Sequence, residues 1–105
     1  MVLEKDVEAY FVWSVERIGG KTFKFRSPQQ RGVADRIACL PDGSTWFVEL
    51  KRPKGGRLAP LQKLHADELR ALNQKYALLW STKEIDAWVL TIARSTPTPR
   101  NGCAI

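Results

Sequence analysis

Residues 33–51, VADRIACLPDGSTWFVELK, have the pattern of two strands joined by a short turn. Apolar and polar residues alternate over 46–51, which is typical of a half-buried strand. Pro41, Asp42 and Gly43 lie between the two segments and are residue types that favour a tight turn. The stretch therefore predicts an antiparallel hairpin with strands over 33–40 and 44–51.

This hairpin would place charged side chains together. Glu49 and Lys51 are two residues apart in the second strand, so they share one of its faces. Antiparallel pairing folds Asp35, near the start of the first strand, back onto the same region. Two interpretations follow: a solvated charged face whose ion pair contributes little energy, or a site containing two carboxylates and a lysine.

The rest of the chain predicts a small α/β domain with the element order α-β-β-β-α-β-α around a mixed sheet. The apolar spacing favours helices over 3–18, 60–73 and 81–90, and further strands over 22–26 and 76–80. The strand-helix-strand order after the hairpin predicts a parallel crossover. In the second helix, the residues expected on the buried side are Leu61, Leu64, Leu69 and Leu72. Residues 1–94 are expected to form one domain and 95–105 a mobile tail.

Composition excludes several classes of protein. With 105 residues, 44% hydrophobic and 27% charged, the chain suits one globular domain. No apolar run approaches the roughly 18 residues of a membrane helix. Cys39 and Cys103 form neither a disulfide framework nor a zinc signature, so a reducing cytoplasm is the expected compartment.

The formal net charge of +6 favours a polyanionic partner such as DNA, although a basic surface also serves solubility alone. The residues predicted to contact the phosphate backbone are Lys21, Lys24, Arg26, Arg31, Arg36, Arg52, Lys54, Arg57 and Lys63.

Two carboxylates and a lysine suit the metal-assisted hydrolysis of a phosphodiester. Mg²⁺ takes oxygen ligands and keeps several waters, so a few protein oxygens suffice. We expect Asp35, Glu49 and the backbone carbonyl of Leu50 to be its ligands, with Mn²⁺ as a substitute. Lys51 would then contact the attacking water or the scissile phosphate.

The wider pattern resembles the VRR-NUC family of the PD-(D/E)xK, or restriction-endonuclease-like, nuclease superfamily. The resemblance covers nearly all of 3–89: an acidic first helix ending in Gly-Gly, then KFxSPxxRG, DRIxxLPDG, FVELKxP and LxPxQ. The family usually has proline before the aspartate, where this chain has Ala34. That position shapes the backbone and is not a ligand.

The resemblance implies a restriction-endonuclease-like core and a metal-dependent nuclease with Asp35, Glu49 and Lys51 in its active site. It also implies a glutamine on the second helix, matched by Gln62, whose amide would hold a phosphate or a metal-bound water. An acid on the first helix is implied as a further metal ligand. Glu4 and Glu8 both qualify for it, and solvated helix acids are the alternative.

Stand-alone members of the family and the similar archaeal resolvases imply a homodimer that cuts four-way (Holliday) DNA junctions. This implies a part in DNA repair and recombination within a bacterial or phage-infected cell. The alternatives are a less selective nickase or flap endonuclease, and a DNA-binding module that does not cut. Base stacking, core packing and a subunit interface all remain open for Trp13, Trp46, Trp80 and Trp88.

Overall fold

A computed structural model of the chain describes residues 2–25 and 34–95. Its elements follow the predicted order and confirm the mixed α/β class. They are α1 (Glu4–Arg17), β1 (Lys21–Lys24), β2 (Arg36–Cys39), β3 (Thr45–Leu50), α2 (Pro60–Ala71), β4 (Lys75–Leu79) and α3 (Thr82–Ser95). Within these residues, none of the helices is both long and apolar enough to cross a membrane.

The four strands form one sheet in the order β1-β2-β3-β4. β1 pairs antiparallel with β2, and β2 pairs antiparallel with β3. β4 lies parallel to β3, and α2 forms the connection between them. Both the hairpin and the parallel crossover that the sequence predicts are therefore confirmed.

The main core lies between one face of the sheet and the helices α1 and α3. Val48 and Leu50 of β3 point to this face, since residues two apart in a strand share a face. The helices contribute a buried apolar stripe to the same core, consisting of Val7, Phe11, Val15, Ile85, Trp88 and Ile92. Glu49 lies between Val48 and Leu50 in the strand, so its side chain points to the opposite face, where α2 packs.

The predicted buried side of α2 is wrong for three of its four leucines and right for Leu69. Leu61, Leu64 and Leu72 are exposed, and the buried residue of this helix is Ala66. The inward stripe instead contains Gln62, His65, Ala66 and Leu69 at helical spacing. The helix is rotated about its axis relative to the leucine pattern because Gln62 bonds to Glu49 on the sheet. This rotation turns polar side chains toward β3.

Several element boundaries differ from the sequence prediction. β2 begins only at Arg36, which leaves Asp35 just before the strand. α3 continues to Ser95, five residues beyond its predicted end near Leu90, because Ile92 packs into the core. The predicted mobile tail therefore loses its first residue to α3, and 96–105 lie outside the described residues. The start of α3 agrees with the sequence, since Ser81 Oγ accepts a hydrogen bond from the Glu84 N–H at 3.2 Å.

The turn between β2 and β3 sets the register of the hairpin. The N–H of Leu40 donates to the Ser44 carbonyl at 2.9 Å, and the N–H of Gly43 donates to the Leu40 carbonyl at 2.9 Å. Gly43 has φ = +88°, a conformation that side chains with a Cβ rarely adopt. The Asp42 carboxylate accepts the Ser44 N–H at 2.8 Å and completes the turn.

We expect Gly43→Ala to destabilise the fold by about 1 kcal/mol, because alanine resists the left-handed conformation. A Cβ at this position would meet no neighbouring atom, so the loss reports backbone strain alone. Gly43→Asn is the matched control, since asparagine tolerates this conformation better. Urea unfolding measures both variants, and equal losses would contradict the assignment to φ.

Candidate active site

The register of the hairpin places Asp35 across from Glu49. Arg36 pairs with Val48, so the residue before Arg36 faces the residue after Val48. Asp35 Oδ2 accepts a hydrogen bond from the Leu50 N–H at 3.0 Å. The Asp35 carbonyl accepts the Phe25 N–H at 2.9 Å. Hydrogen bonds from two neighbouring segments therefore fix both the side chain and the backbone of Asp35.

The Glu49 carboxylate lies on the face of the sheet that packs against α2, and its side chain is 1% exposed. Its Oε2 accepts a hydrogen bond from Gln62 Nε2 at 2.9 Å and lies 3.5 Å from Lys51 Nζ. Lys51 is itself largely buried, and its backbone N–H donates to the Leu79 carbonyl at 3.0 Å. Gln62 of α2 and Lys51, the residue that follows β3, thus converge on one carboxylate oxygen.

The environment of Glu49 raises its pKa to about 8. Burial is the largest cause, because it disfavours the charged form. The hydrogen bond with Asp35 and the negative charge of that residue raise the pKa further, whereas Lys51 lowers it. Glu49 therefore retains a proton through much of the neutral range in the absence of a cation.

This pair of carboxylates fits a hard divalent cation. Both groups are oxygen donors. A cation between them would offset the repulsion between the two negative charges, which protonation of Glu49 otherwise relieves. Over residues 2–25 and 34–95, no cluster of three His, Cys, Asp or Glu side chains forms a complete set of metal ligands. The set that is present suits Mg²⁺, which commonly takes one or two carboxylates and keeps several waters.

Gln62 reaches the site as predicted, but its contacts differ from the expected ones. Its Nε2 donates to Glu49, and its Oε1 accepts the Ala59 N–H at 2.9 Å. These two bonds fix both the orientation of the amide and the start of α2. In this structure Gln62 therefore positions a carboxylate, and its contact with a phosphate or water stays a prediction.

The two acids of α1 are placed differently from each other. Glu8 Oε2 accepts a hydrogen bond from Arg36 Nε at 2.9 Å and lies 4.0 Å from Lys24 Nζ. Glu4 is exposed in the first turn of the helix. Arg36 follows Asp35 in the chain and points to the opposite face, toward α1. The metal-ligand role of either acid stays a prediction.

The predicted DNA-binding residues fall into three groups. Lys21, Lys24, Lys54, Arg57 and Lys63 are exposed, and Lys63 Nζ lies 3.1 Å from Asp67. Arg36 and Arg52 are partly engaged within the fold: Arg36 Nη1 donates to Thr22 at 3.1 Å and Arg52 Nη2 to the Gly55 carbonyl at 3.3 Å. Arg26 and Arg31 lie outside the described residues.

Tyr76 is a neighbour of the site that the sequence did not single out. It lies in β4, pairs with Phe47 of β3 and carries a buried hydroxyl without a hydrogen-bond partner among the described residues. Burial raises its pKa to about 12, and the charge of Glu49 adds to the shift. The strand predicted over 76–80 contained the available signal for Tyr76. Side chains alternate between the two faces of a strand, so Tyr76 shares a face with Leu78 and not with Ala77.

Comparisons with known proteins agree with this fold. No family model matches the chain. A solved structure described as "VRR_NUC domain" superposes with a TM-score of 0.78 at 26% identity, covering 83% of this chain and 94% of that one. The "Putative nuclease p44" of Acyrthosiphon pisum secondary endosymbiont phage 1 is 39% identical over 79 residues, which are 75% of this chain and 84% of the phage protein. The chain belongs to the VRR-NUC family.

The pKa of Glu49 predicts how the stability of this VRR-NUC protein depends on pH. The pKa rises from 4.5 to about 8 on folding, so the native state binds a proton that the unfolded state has released. Without divalent cations, the free energy of unfolding should therefore fall as pH rises from about 4.5 to about 8. Urea unfolding in a chelator at pH 5 and pH 8 measures this loss.

Glu49→Gln is the matched control, because glutamine is neutral at both pH values and should show a smaller loss. Mg²⁺ or Mn²⁺ should restore stability to the parent protein more at pH 8 than at pH 5, since a ligating carboxylate must be deprotonated. Equal pH slopes for parent and variant would contradict the assignment to Glu49.

Proposed function

We propose that this VRR-NUC nuclease is a Mg²⁺-dependent endodeoxyribonuclease that is selective for branched DNA and resolves four-way junctions as a homodimer. The observation that carries the proposal is the pairing of Asp35 with the buried Glu49, with Lys51 Nζ 3.5 Å from the glutamate. The nuclease named in the phage relative and the VRR_NUC structure support the reaction class.

In the proposed mechanism, Asp35, Glu49 and the Leu50 carbonyl would hold the divalent ion. A bound divalent ion lowers the pKa of water and stabilises the charge that develops on a phosphodiester. The hydrogen bonds from the Leu50 N–H to Asp35 and from Gln62 to Glu49 hold the two carboxylates in place before substrate arrives. This preorganisation matters because displaced groups stabilise a transition state poorly.

Lys51 supplies the positive charge of the protein at the reacting phosphate. Its backbone is fixed by β4 and its side chain is only 11% exposed. Low exposure strengthens its interaction with a phosphate oxygen, because water screens the charge less. An ammonium donates up to three hydrogen bonds, so Lys51 can retain Glu49 while it orients a water or a phosphate oxygen.

Exposed basic residues flank the site in the chain and support a DNA substrate. Lys54 and Arg57 follow β3 directly after Lys51, and Lys21 and Lys24 lie on the edge strand β1. β1 also reaches Asp35 through the bond from Phe25. Contacts of this type bind the phosphate backbone and recognise its shape more than its base sequence.

The homodimer follows from the geometry of the substrate. Symmetric resolution of a four-way junction needs two cuts, and the two-fold symmetry of a dimer places two sites for them. Among the tryptophans considered for an interface, Trp88 is buried in the core, whereas Trp13 is half exposed. Trp13 and Leu90 line a groove between α1 and α3, and this groove supports an apolar contact between subunits.

Lys51→Ala should reduce the Mg²⁺-dependent cleavage of a four-way junction by about 100-fold or more, because the charge at the phosphate is lost. Junction binding should change little. Lys83→Ala is the matched control, since it removes an exposed lysine from α3 on the other side of the sheet. Gel assays of cleavage and binding measure both variants. If Lys51→Ala cuts as fast as the parent, catalysis by this site is wrong. If the parent binds the junction but does not cut it, a non-cutting DNA-binding module is favoured.

A panel of four-way, flap, nicked and linear duplexes tests the substrate. We expect the four-way junction to be cut fastest and the linear duplex slowest. Fastest cutting of the flap or the nicked duplex would favour the less selective nuclease and exclude the resolvase.

The mass of the protein in solution, measured by light scattering, tests the dimer. We expect twice the mass of one chain for the parent and a shift toward monomer for Trp13→Glu, because a charge in an apolar interface is costly. A monomeric parent at the concentrations that cut junctions would rule out the homodimer.

A further inference from the structure

A pocket of about 480 Å³ lies at the start of α2, next to the candidate active site. One wall is the chain that follows β3, and the other is the residue after β4. The lining residues are Gly56, Arg57, Leu58, Ala59, Pro60 and Trp80. None of these six is acidic, so the pocket combines apolar surface and an aromatic ring with one exposed cation.

Both walls of this pocket are bonded to residues of the site. The Ala59 N–H donates to Gln62, which donates in turn to Glu49. Leu79, immediately before Trp80, accepts the N–H of Lys51 at 3.0 Å. The pocket therefore adjoins the segments that carry Gln62 and Lys51.

Trp80 differs from the other tryptophans. Trp46 and Trp88 pack edge to face with ring centroids 5.5 Å apart, and Trp13 has Arg17 4.8 Å from its ring centroid in the groove between α1 and α3. The Trp80 indole is only half buried and faces the pocket that adjoins the site. The backbone N–H of Trp80 donates to Glu84 Oε1 at 2.9 Å, and this bond fixes Trp80 next to the start of α3.

The loop before α2 packs closely on this indole. A Cβ at Gly56 would lie 3.2 Å from Trp80 Cζ3 and 2.5 Å from the Arg52 carbonyl oxygen. Glycine thus allows the backbone to approach one part of the ring while the remainder lines the pocket. The same loop carries Arg57 next to Gly56, which puts a guanidinium at the pocket wall.

We propose that this pocket binds an unpaired nucleotide of the DNA substrate, with the base stacked on Trp80 and its phosphate in contact with Arg57. An aromatic face and a cation are the groups that bind a single-stranded nucleotide without sequence preference. The proposal rests on the proposed function, because it takes the DNA held at the candidate active site as the source of the nucleotide. It gives a physical source for selectivity: distorted DNA offers an extruded base at little cost, whereas a regular duplex must first unstack one.

The test uses the full chain in a Lys51→Ala background, so that binding is measured without cleavage. The probes are a duplex with one extrahelical nucleotide and the same duplex with an abasic site at that nucleotide. The background protein should bind the first about tenfold more tightly by fluorescence anisotropy, because stacking contributes about 1–3 kcal/mol per base. Equal affinity of the background protein for the two probes overturns the proposal, and this result needs no substitution at Trp80.

Two variants of Trp80 then test whether the indole causes the difference in affinity between the two probes. Trp80→Leu keeps an apolar side chain but removes the aromatic face, and it should abolish the preference for the probe that has the base. Trp80→Phe should retain most of it. Arg57→Ala should weaken both probes alike, because both keep the phosphate. If Trp80→Leu retains the full preference, the base does not stack on Trp80.

Cleavage of both probes by the parent chain with Mg²⁺ separates this proposal from the proposed function. Lys51-dependent cutting without discrimination between the probes would leave the nuclease function standing and overturn the pocket. Discrimination in binding, with no Mg²⁺-dependent cutting of these probes or of the four-way junction, would support the pocket and overturn the catalytic proposal.

Discussion

The structure depends on the register of one hairpin, because that register holds Asp35 and Glu49 opposite each other on a buried face. Like charges directly opposite on neighbouring strands destabilise a sheet, and burial adds to the cost. A slip of one residue would turn Glu49 to the α1 and α3 face and break the site. The turn at Gly43 and the bond from the Leu50 N–H to Asp35 fix the pairing against this tendency.

The α2 helix shows how the site overrides an apolar pattern. Its leucines predict an inward stripe, yet Leu61 and Leu64 are exposed and Gln62 faces the sheet. A buried carboxylate needs hydrogen-bond donors, and leaving Glu49 without them would cost more than the exposure of a few apolar side chains. Such a conflict between local pattern and observed packing is characteristic of functional sites.

The two faces of the sheet have different physical roles. The face toward α1 and α3 is apolar and contains nearly all of the core cluster, so it provides most of the hydrophobic stabilisation. The face toward α2 contains the carboxylates, Lys51 and the hydroxyl of Tyr76, which has no hydrogen-bond partner within residues 2–25 and 34–95. Because the apolar face supplies most of the stabilisation, the opposite face can hold ionisable groups close together. The Trp80 pocket lies at the end of β4, beside this polar layer.

The sequence by itself determined the element order, the hairpin and the pairing of Glu49 with Lys51 on one strand face. These features depend on local signals: alternation at period two, helical spacing, and turn and capping residues near in the chain. The motif pattern from the first helix to LxPxQ also carried the family resemblance, which the comparisons confirmed.

Only the tertiary structure decided the rotation of α2, the pairing of Glu8 with Arg36 and the different environments of the four tryptophans. Helical periodicity defines an apolar face, but it does not say which neighbour that face will meet or which polar group needs a donor. The Glu8–Arg36 bond joins residues far apart in the chain, and Gln62 and Glu49 meet only after the crossover has formed. Contacts of this kind depend on the sum of packing and desolvation over all elements, which no single stretch of sequence contains.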